Sequence, residues 1–252
     1  MPSVPPNWQT VVVVAGGAAL PVLTLFTVFD LRYIFRLLWG IILRGRYFYK
    51  LSPQEQQKET RAVMGGRPLV FQSAVSSHDI DLFGHLSNSK YFKEADMARS
   101  NLILQGGLGQ ASYKISGSFV VAATSMRFRK ELPYGKSYRI VSRVVGWDAV
   151  SIFTEQRFES ESSKTGKLDL NGIMIARLQL TNKRKMVDVF RVLKVLDLPQ
   201  SRIPPPDVTA WAISIQDANQ RVKRESGDHE KSGTSAVSDE GIKPSPRLKA
   251  KM

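Results

Sequence analysis

The chain has 252 residues, 42% of them apolar, enough for one good-sized domain with appendages and too few for two large ones. It holds no cysteine, which excludes a disulfide framework, a Cys-ligated zinc and a cysteine nucleophile. The formal charge of +14 comes without a zinc finger, an RNA-recognition signature or an aromatic-basic repeat, which sets nucleic acid aside as a partner.

In chain order, the first feature is Val11 to Phe29, a nineteen-residue run without a charge. At about 1.5 Å per residue it matches the hydrocarbon core of a bilayer as a helix. Met1 to Thr10 has no Lys or Arg, which argues against a cleaved signal peptide and for a transmembrane helix. Arg32, Arg36, Arg44, Arg46 and Lys50 follow, so the positive-inside rule places everything downstream in the cytosol. Leu31 to Leu43 is apolar around Arg32 and Arg36 and either lengthens this helix or lies along the interface. Residues 1–45 are thus a membrane anchor with a basic juxtamembrane segment. Residues 46–68, with Pro53, Gly65, Gly66 and Pro68, read as a linker containing one helical turn.

A folded domain is expected over residues 69–182. Leu69 to Val75 is β-like, and Asn88 to Leu104 is helical, with Tyr91, Ala95, Ala98 and Leu102 on one stripe, Ser87 or Asn88 as N-cap and Gly106-Gly107 as its stop. Four strand-like runs follow. In the first, Val120, Ala122, Thr124, Met126 and Phe128 share one face while Arg127 and Arg129 point to the other. Lys136 to Trp147 pairs with Ala149 to Glu161, and Met174, Ala176, Leu178 and Leu180 supply the buried face of the last. One long helix and an antiparallel sheet wrapped around it make an α+β layout. Residues 183–224 form an extension with a short helix, Val208 to Lys223, capped by Asp207, and residues 225–252 have the composition of a disordered tail.

The stretch with the most chemistry is Asp79-Ile80-Asp81-Leu82-Phe83-Gly84-His85-Leu86-Ser87-Asn88-Ser89-Lys90-Tyr91. It sets two carboxylates, an imidazole and a carboxamide on a turn that enters a helix. Asp before a helix commonly bonds its own backbone, so spacing alone leaves each Asp between turn-former and general base. The stretch resembles the signature of the 4-hydroxybenzoyl-CoA-thioesterase-like hotdog proteins, roughly D-x-D-x-x-G-H-x-N-N-x-x-Y. With Arg127-Phe128-Arg129-Lys130 and Val145-Gly146-Trp147-Asp148 downstream, it is most similar to the thioesterase superfamily member 6 group and fungal thioesterase-like relatives, over about residues 69–224.

That resemblance implies a hotdog fold in which Asp81 attacks a thioester carbonyl or activates water, Asp79 orders the turn, and His85 bonds the thioester or orients water. Asn88 matches the second Asn of the pattern, and Ser87 replaces the first. Gly84, Ser87 and Tyr91 would border the substrate. Arg127, Arg129 and Lys130 either meet CoA phosphates or protect a strand edge by charge. Glu94 and Asp96 are helical carboxylates of the kind some hotdog enzymes use, although Lys90 and Glu94 at i, i+4 also read as an ordinary surface pair.

No G-x-S-x-G elbow, P-loop or H-E-x-x-H pair is present, and three scattered histidines make no metal site. The expected protein is therefore a membrane-anchored hydrolase of acyl-CoA or related acyl thioesters, without a metal or redox cofactor. Release of an acyl chain from a carrier protein and a non-catalytic acyl-binding module are the competing readings. A homodimer or tetramer is expected, in the endoplasmic reticulum membrane with a cytosolic domain. Ala250-Lys251-Met252, similar to a Ser-Lys-Leu address, makes the peroxisome the alternative.

Overall fold

The computed structural model describes residues 31–225 apart from 184, 200 and 201. The uncharged run Val11 to Phe29 and tail residues 226–252 lie outside the described residues. Among the described residues no helix is long and apolar enough to cross a membrane.

The elements run α1 (Leu31–Lys50), α2 (Pro53–Met64), β1 (Leu69–Ala74), α3 (Asn88–Gln105), α4 (Leu108–Lys114), β2 (Ser118–Phe128), β3 (Ser137–Trp147), β4 (Ile152–Glu161), β5 (Leu168–Asn182), β6 (Lys185–Val187), α5 (Phe190–Val195) and α6 (Pro206–Glu225). The strands form one antiparallel sheet in the order β1-β3-β4-β5-β2, with the short β6 on β5. Met174, Ala176, Leu178 and Leu180 of β5 are all buried, and Ile175 and Arg177 between them are buried too, so the middle of β5 is covered on both faces. The stripe Tyr91, Ala95, Ala98 and Leu102 of α3 is buried as well, and its two alanines leave room for a close approach. A long helix wrapped by an antiparallel sheet is the hotdog layout. Its core has two parts: one gathers Leu102, Trp147, Leu178 and Leu193, and the other, beside the turn before α3, gathers Tyr91, Tyr138, Phe158 and Met174.

Residues 46–68 are not a linker. α1 continues to Lys50, and α2 starts on a capping box: the Ser52 hydroxyl accepts from the Glu55 amide, and the Glu55 carboxylate accepts from the Ser52 amide at 2.8 Å, with Pro53 at the helix start. The polar composition concealed this helix because it buries only one edge, through Thr60, Val63 and Met64. Phe48, Val63 and Met64 are core residues, so the folded body begins well before Leu69.

β2 also departs from expectation. A bulge between Val121 and Ala123 breaks its alternation, and Val120, Val121 and Phe128 are exposed along the sheet edge. The short α4, β6 and α5 carry too little periodicity to be read from sequence. α6 is longer than expected and starts at Pro206, whose ring presets the helical φ, so Asp207 lies in the first turn rather than at the cap. The compact unit runs to Thr209, and the remainder of α6 belongs to a second unit. Near its end the first unit laces residues 202–204 across β3. A Cβ at Gly146 would stand 2.6 Å from the Arg202 carbonyl oxygen and 2.7 Å from the Pro204 nitrogen, so only glycine admits the crossing.

Candidate active site

The two aspartates build the turn before α3. Asp79 accepts the Ser76 amide at 3.1 Å and its hydroxyl, its own carbonyl accepts the Ser87 amide at 2.8 Å, and Lys90 Nζ stands 3.7 Å from its other oxygen. Two residues on, Asp81 Oδ1 accepts the amides of Phe83 at 2.9 Å and His85 at 3.4 Å, an Asx turn. The Asp81 amide donates to the His85 carbonyl at 2.9 Å, and Gly84 turns the chain with φ of +78°. The turn is tied to the chain before β3 by Leu86 donating to Leu132 at 2.7 Å and Tyr134 donating to Gly84 at 3.0 Å.

Beside this turn opens a cleft of about 230 Å³. Asp81, His85, Asn88, Tyr91, Arg129 and Lys130 all line it. The other three expected residues do not. Gly84 shapes the turn, and the Ser87 hydroxyl is engaged with Ser89 Oγ at 3.1 Å and caps no amide. Arg127 of β2 is not among the residues lining the cleft. No side chain caps α3; the Lys90 amide of its first turn donates to the Ser87 carbonyl at 2.8 Å, and Asn88 at the start of the helix borders the cleft.

Tyr91 joins the cleft to the core. It is buried, edge-on to Phe128 at 5.2 Å and to Phe158 at 4.9 Å between ring centroids, and burial pushes its hydroxyl pKa up to about 12. Two residues that sequence reasoning missed complete the wall. Glu131 places Oε2 3.7 Å from His85 Nε2. Asn171, buried on β5, holds the segment after β2 by donating to the Glu131 carbonyl at 3.2 Å and accepting, through its own carbonyl, the amides of Arg129 at 2.9 Å and Lys130 at 3.1 Å. An Asn beside Gly172, immediately ahead of the apolar run Ile173-Met174-Ile175-Ala176, was the available signal. Lys130 Nζ is paired with Asp169 at 2.5 Å.

Glu94 is not a surface partner of Lys90. It is buried, held bidentate by Arg36 of α1 at 2.7 and 3.1 Å, and bonded by the Tyr138 hydroxyl. Burial works against the Arg36 charge, but the bond and field of Glu94 outweigh it and raise the guanidinium pKa. Burial and the charge of Glu94 together push the Tyr138 hydroxyl upward too. The helical carboxylate thus ties α1 to α3, and it is not among the residues lining the cleft.

A family model described as the thioesterase-like superfamily matches residues 75–211. Protein THEM6 of Danio rerio is 29% identical over 206 residues, covering 81% of this chain and 93% of that protein. Thioesterase lcsJ of Purpureocillium lilacinum is 25% identical over 190 residues, covering 67% and 60%. Among solved structures, the 4-hydroxybenzoyl-CoA thioesterase of Pseudomonas sp. strain CBS-3 superposes with a TM-score of 0.45 at 14% identity, over 51% of this chain and 99% of that one.

Proposed function

From the premise that this chain belongs to the thioesterase-like superfamily and is a thioester hydrolase, we propose that it cleaves acyl-CoA or a related acyl thioester in the cleft beside Asp81. The observation that carries this reading is the meeting of Asp81, His85, Asn88 and Tyr91 from the turn and α3 with Arg129 and Lys130 from the chain after β2, some forty residues later. Two amides on Asp81 Oδ1 hold the carboxylate in one orientation, as a base or nucleophile needs. In the general-base route Asp81 takes a proton from water, the hydroxide adds to the thioester carbonyl, the C–S bond breaks, and Asp81 returns the proton to the leaving thiolate, giving a thiol and a carboxylic acid that ionises to solvent. First-turn amides of α3 stabilise the oxyanion, and His85, facing Glu131, orients water or the carbonyl. Arg129 suits the phosphates of CoA, while Lys130 reaches them only by leaving Asp169.

The test is Asp81→Asn in the full chain. Turnover falls by about a hundredfold or more, since a positioned base contributes 10²–10⁴, while substrate still binds. Undiminished turnover would remove Asp81 from the chemistry. Running acyl-CoA beside acyl-carrier substrates decides the thiol carrier.

The enzyme is a membrane protein in this reading, spanning at Val11 to Phe29 with the domain in the cytosol. The uncharged run and the basic residues after it support this, and the endoplasmic reticulum is the proposed membrane. Protease added to sealed microsomes digests the domain; a protected domain reverses the orientation, and a peroxisomal signal lost with the last three residues favours that organelle. The working unit is at least a dimer. Support comes from the exposed β2 edge, on which Phe128 also lines the cleft. A monomeric mass with full activity would refute it.

A further inference from the structure

α1 is apolar on two faces. The inner face is covered: Tyr33 and Leu37 pack on the cluster behind the cleft, Phe48 is buried, and Arg36 grips Glu94. On the outer face Phe35, Leu38, Trp39 and Ile42 fall three or four residues apart and are 64%, 53%, 52% and 50% exposed, with the rings of Phe35 and Trp39 stacked 6.0 Å apart. A helix that is apolar on two faces needs cover on both, from protein or from lipid.

Two features name the cover. α1 contains Arg32, Arg36, Arg44, Arg46 and Lys50 and no Asp or Glu, a composition complementary to anionic headgroups. A second copy is a poor fit, because a two-fold contact along this helix sets like charges together with no carboxylate on it to pair them. The helix also begins two residues after Phe29, where the uncharged run ends, so if that run spans a bilayer the start of α1 is at its surface.

We propose that the outer face of α1 lies in the lipid interface, with the ring of Trp39 at headgroup depth, and that α1 thereby mounts the catalytic body directly on the membrane. This rests on the reading of Val11 to Phe29 as the anchor and goes beyond it. An anchor alone allows the domain to swing on a tether. Here no tether exists after α1: only Leu51 and Ser52 separate it from the capped α2, and the Arg36–Glu94 pair fastens it to α3. Aromatic side chains and basic residues on one helix surface are what an in-plane helix requires.

The absence of cysteine makes the test clean, because any introduced thiol is unique. The full chain is placed in phosphatidylcholine–phosphatidylserine vesicles with a nitroxide label at Trp39→Cys, at Ile42→Cys, or at Lys164→Cys on the exposed β4–β5 turn. Labels at positions 39 and 42 respond more to oxygen, which partitions into lipid, than to a water-soluble nickel chelate, and the label at position 164 shows the opposite preference. Vesicle-bound protein whose labels at 39 and 42 behave like the one at 164 would overturn the lipid seat and leave the anchor standing. Dipolar broadening between labels at position 39 would assign the face to a second copy and likewise overturn it. Protein that fails to float with the vesicles at all would overturn the anchor as well.

Discussion

Glu94 keeps its carboxylate at 4% exposure, where two Nη atoms of Arg36 and the Tyr138 hydroxyl surround it. Removing the cation strands a buried charge, whereas removing the carboxylate leaves a guanidinium that still reaches water. Arg36→Leu is therefore expected to lower stability by about 2–4 kcal/mol, less than the full value for a completely buried pair because Arg36 is partly exposed. Glu94→Gln lowers it less, and adding Glu94→Gln to Arg36→Leu recovers part of the loss; denaturant titration of the full chain in detergent reads all three. Tyr91 gives an alkaline counterpart. Its folded pKa is raised, so its contribution is intact below about pH 10, where the unfolded tyrosine ionises, and is lost as pH rises toward 12. Tyr91→Phe flattens that decline by up to about 1.4 kcal/mol per pH unit, visible in unfolding midpoints between pH 9 and 12. Asp81, His85, Asn88 and Tyr91 were legible because they lie within eleven residues on one turn and helix. Glu131 and Asn171 were not, since what makes them part of the site is contact between segments far apart in the chain, which local spacing does not encode.

Among the elements, α3 and β5 were readable because each carries an apolar stripe that is buried, although Glu94, Arg99 and Asn101 of α3 and Arg177 of β5 are buried beside it. Tertiary placement overrode the pattern in β2, where an apolar alternation ends on an exposed edge, and in α2, where a polar string docks through its last turn. Packing at the β3 crossing is equally invisible to periodicity. Gly146→Ala puts a methyl within 2.6–2.7 Å of backbone atoms that have no rotamer to yield. The expected loss is about 1–3 kcal/mol, and because that strap lies away from the cleft, turnover per folded molecule stays near that of the parent. A thermal midpoint equal to that of the parent would show that the crossing relaxes freely.

For the molecule as a whole, the body reaches from α1 into the first turn of α6, where Val208 is buried. A chain starting at residue 69 lacks Phe48, Val63 and Met64 from the core and Arg36 from Glu94. It is expected to lose cooperative unfolding, whereas one starting at residue 31 retains it, as circular dichroism melts will distinguish. The hydrophobic pattern strengthens at residue 69, but a core closes wherever distant side chains meet, and here they include the segment expected to be a linker.

Arg202 donates to the Met64 carbonyl across 138 residues of chain. During synthesis the end of α2 must therefore wait for this partner while the ribosome adds those residues, roughly fourteen seconds at ~10 residues per second. Throughout that interval the C-terminal end of α2 lacks its last partner, while α1 is already held by Glu94 of α3. A stop codon anywhere before Arg202 leaves this latch unmade, so shortened translation products should be cleared rather than accumulate as partly working enzyme.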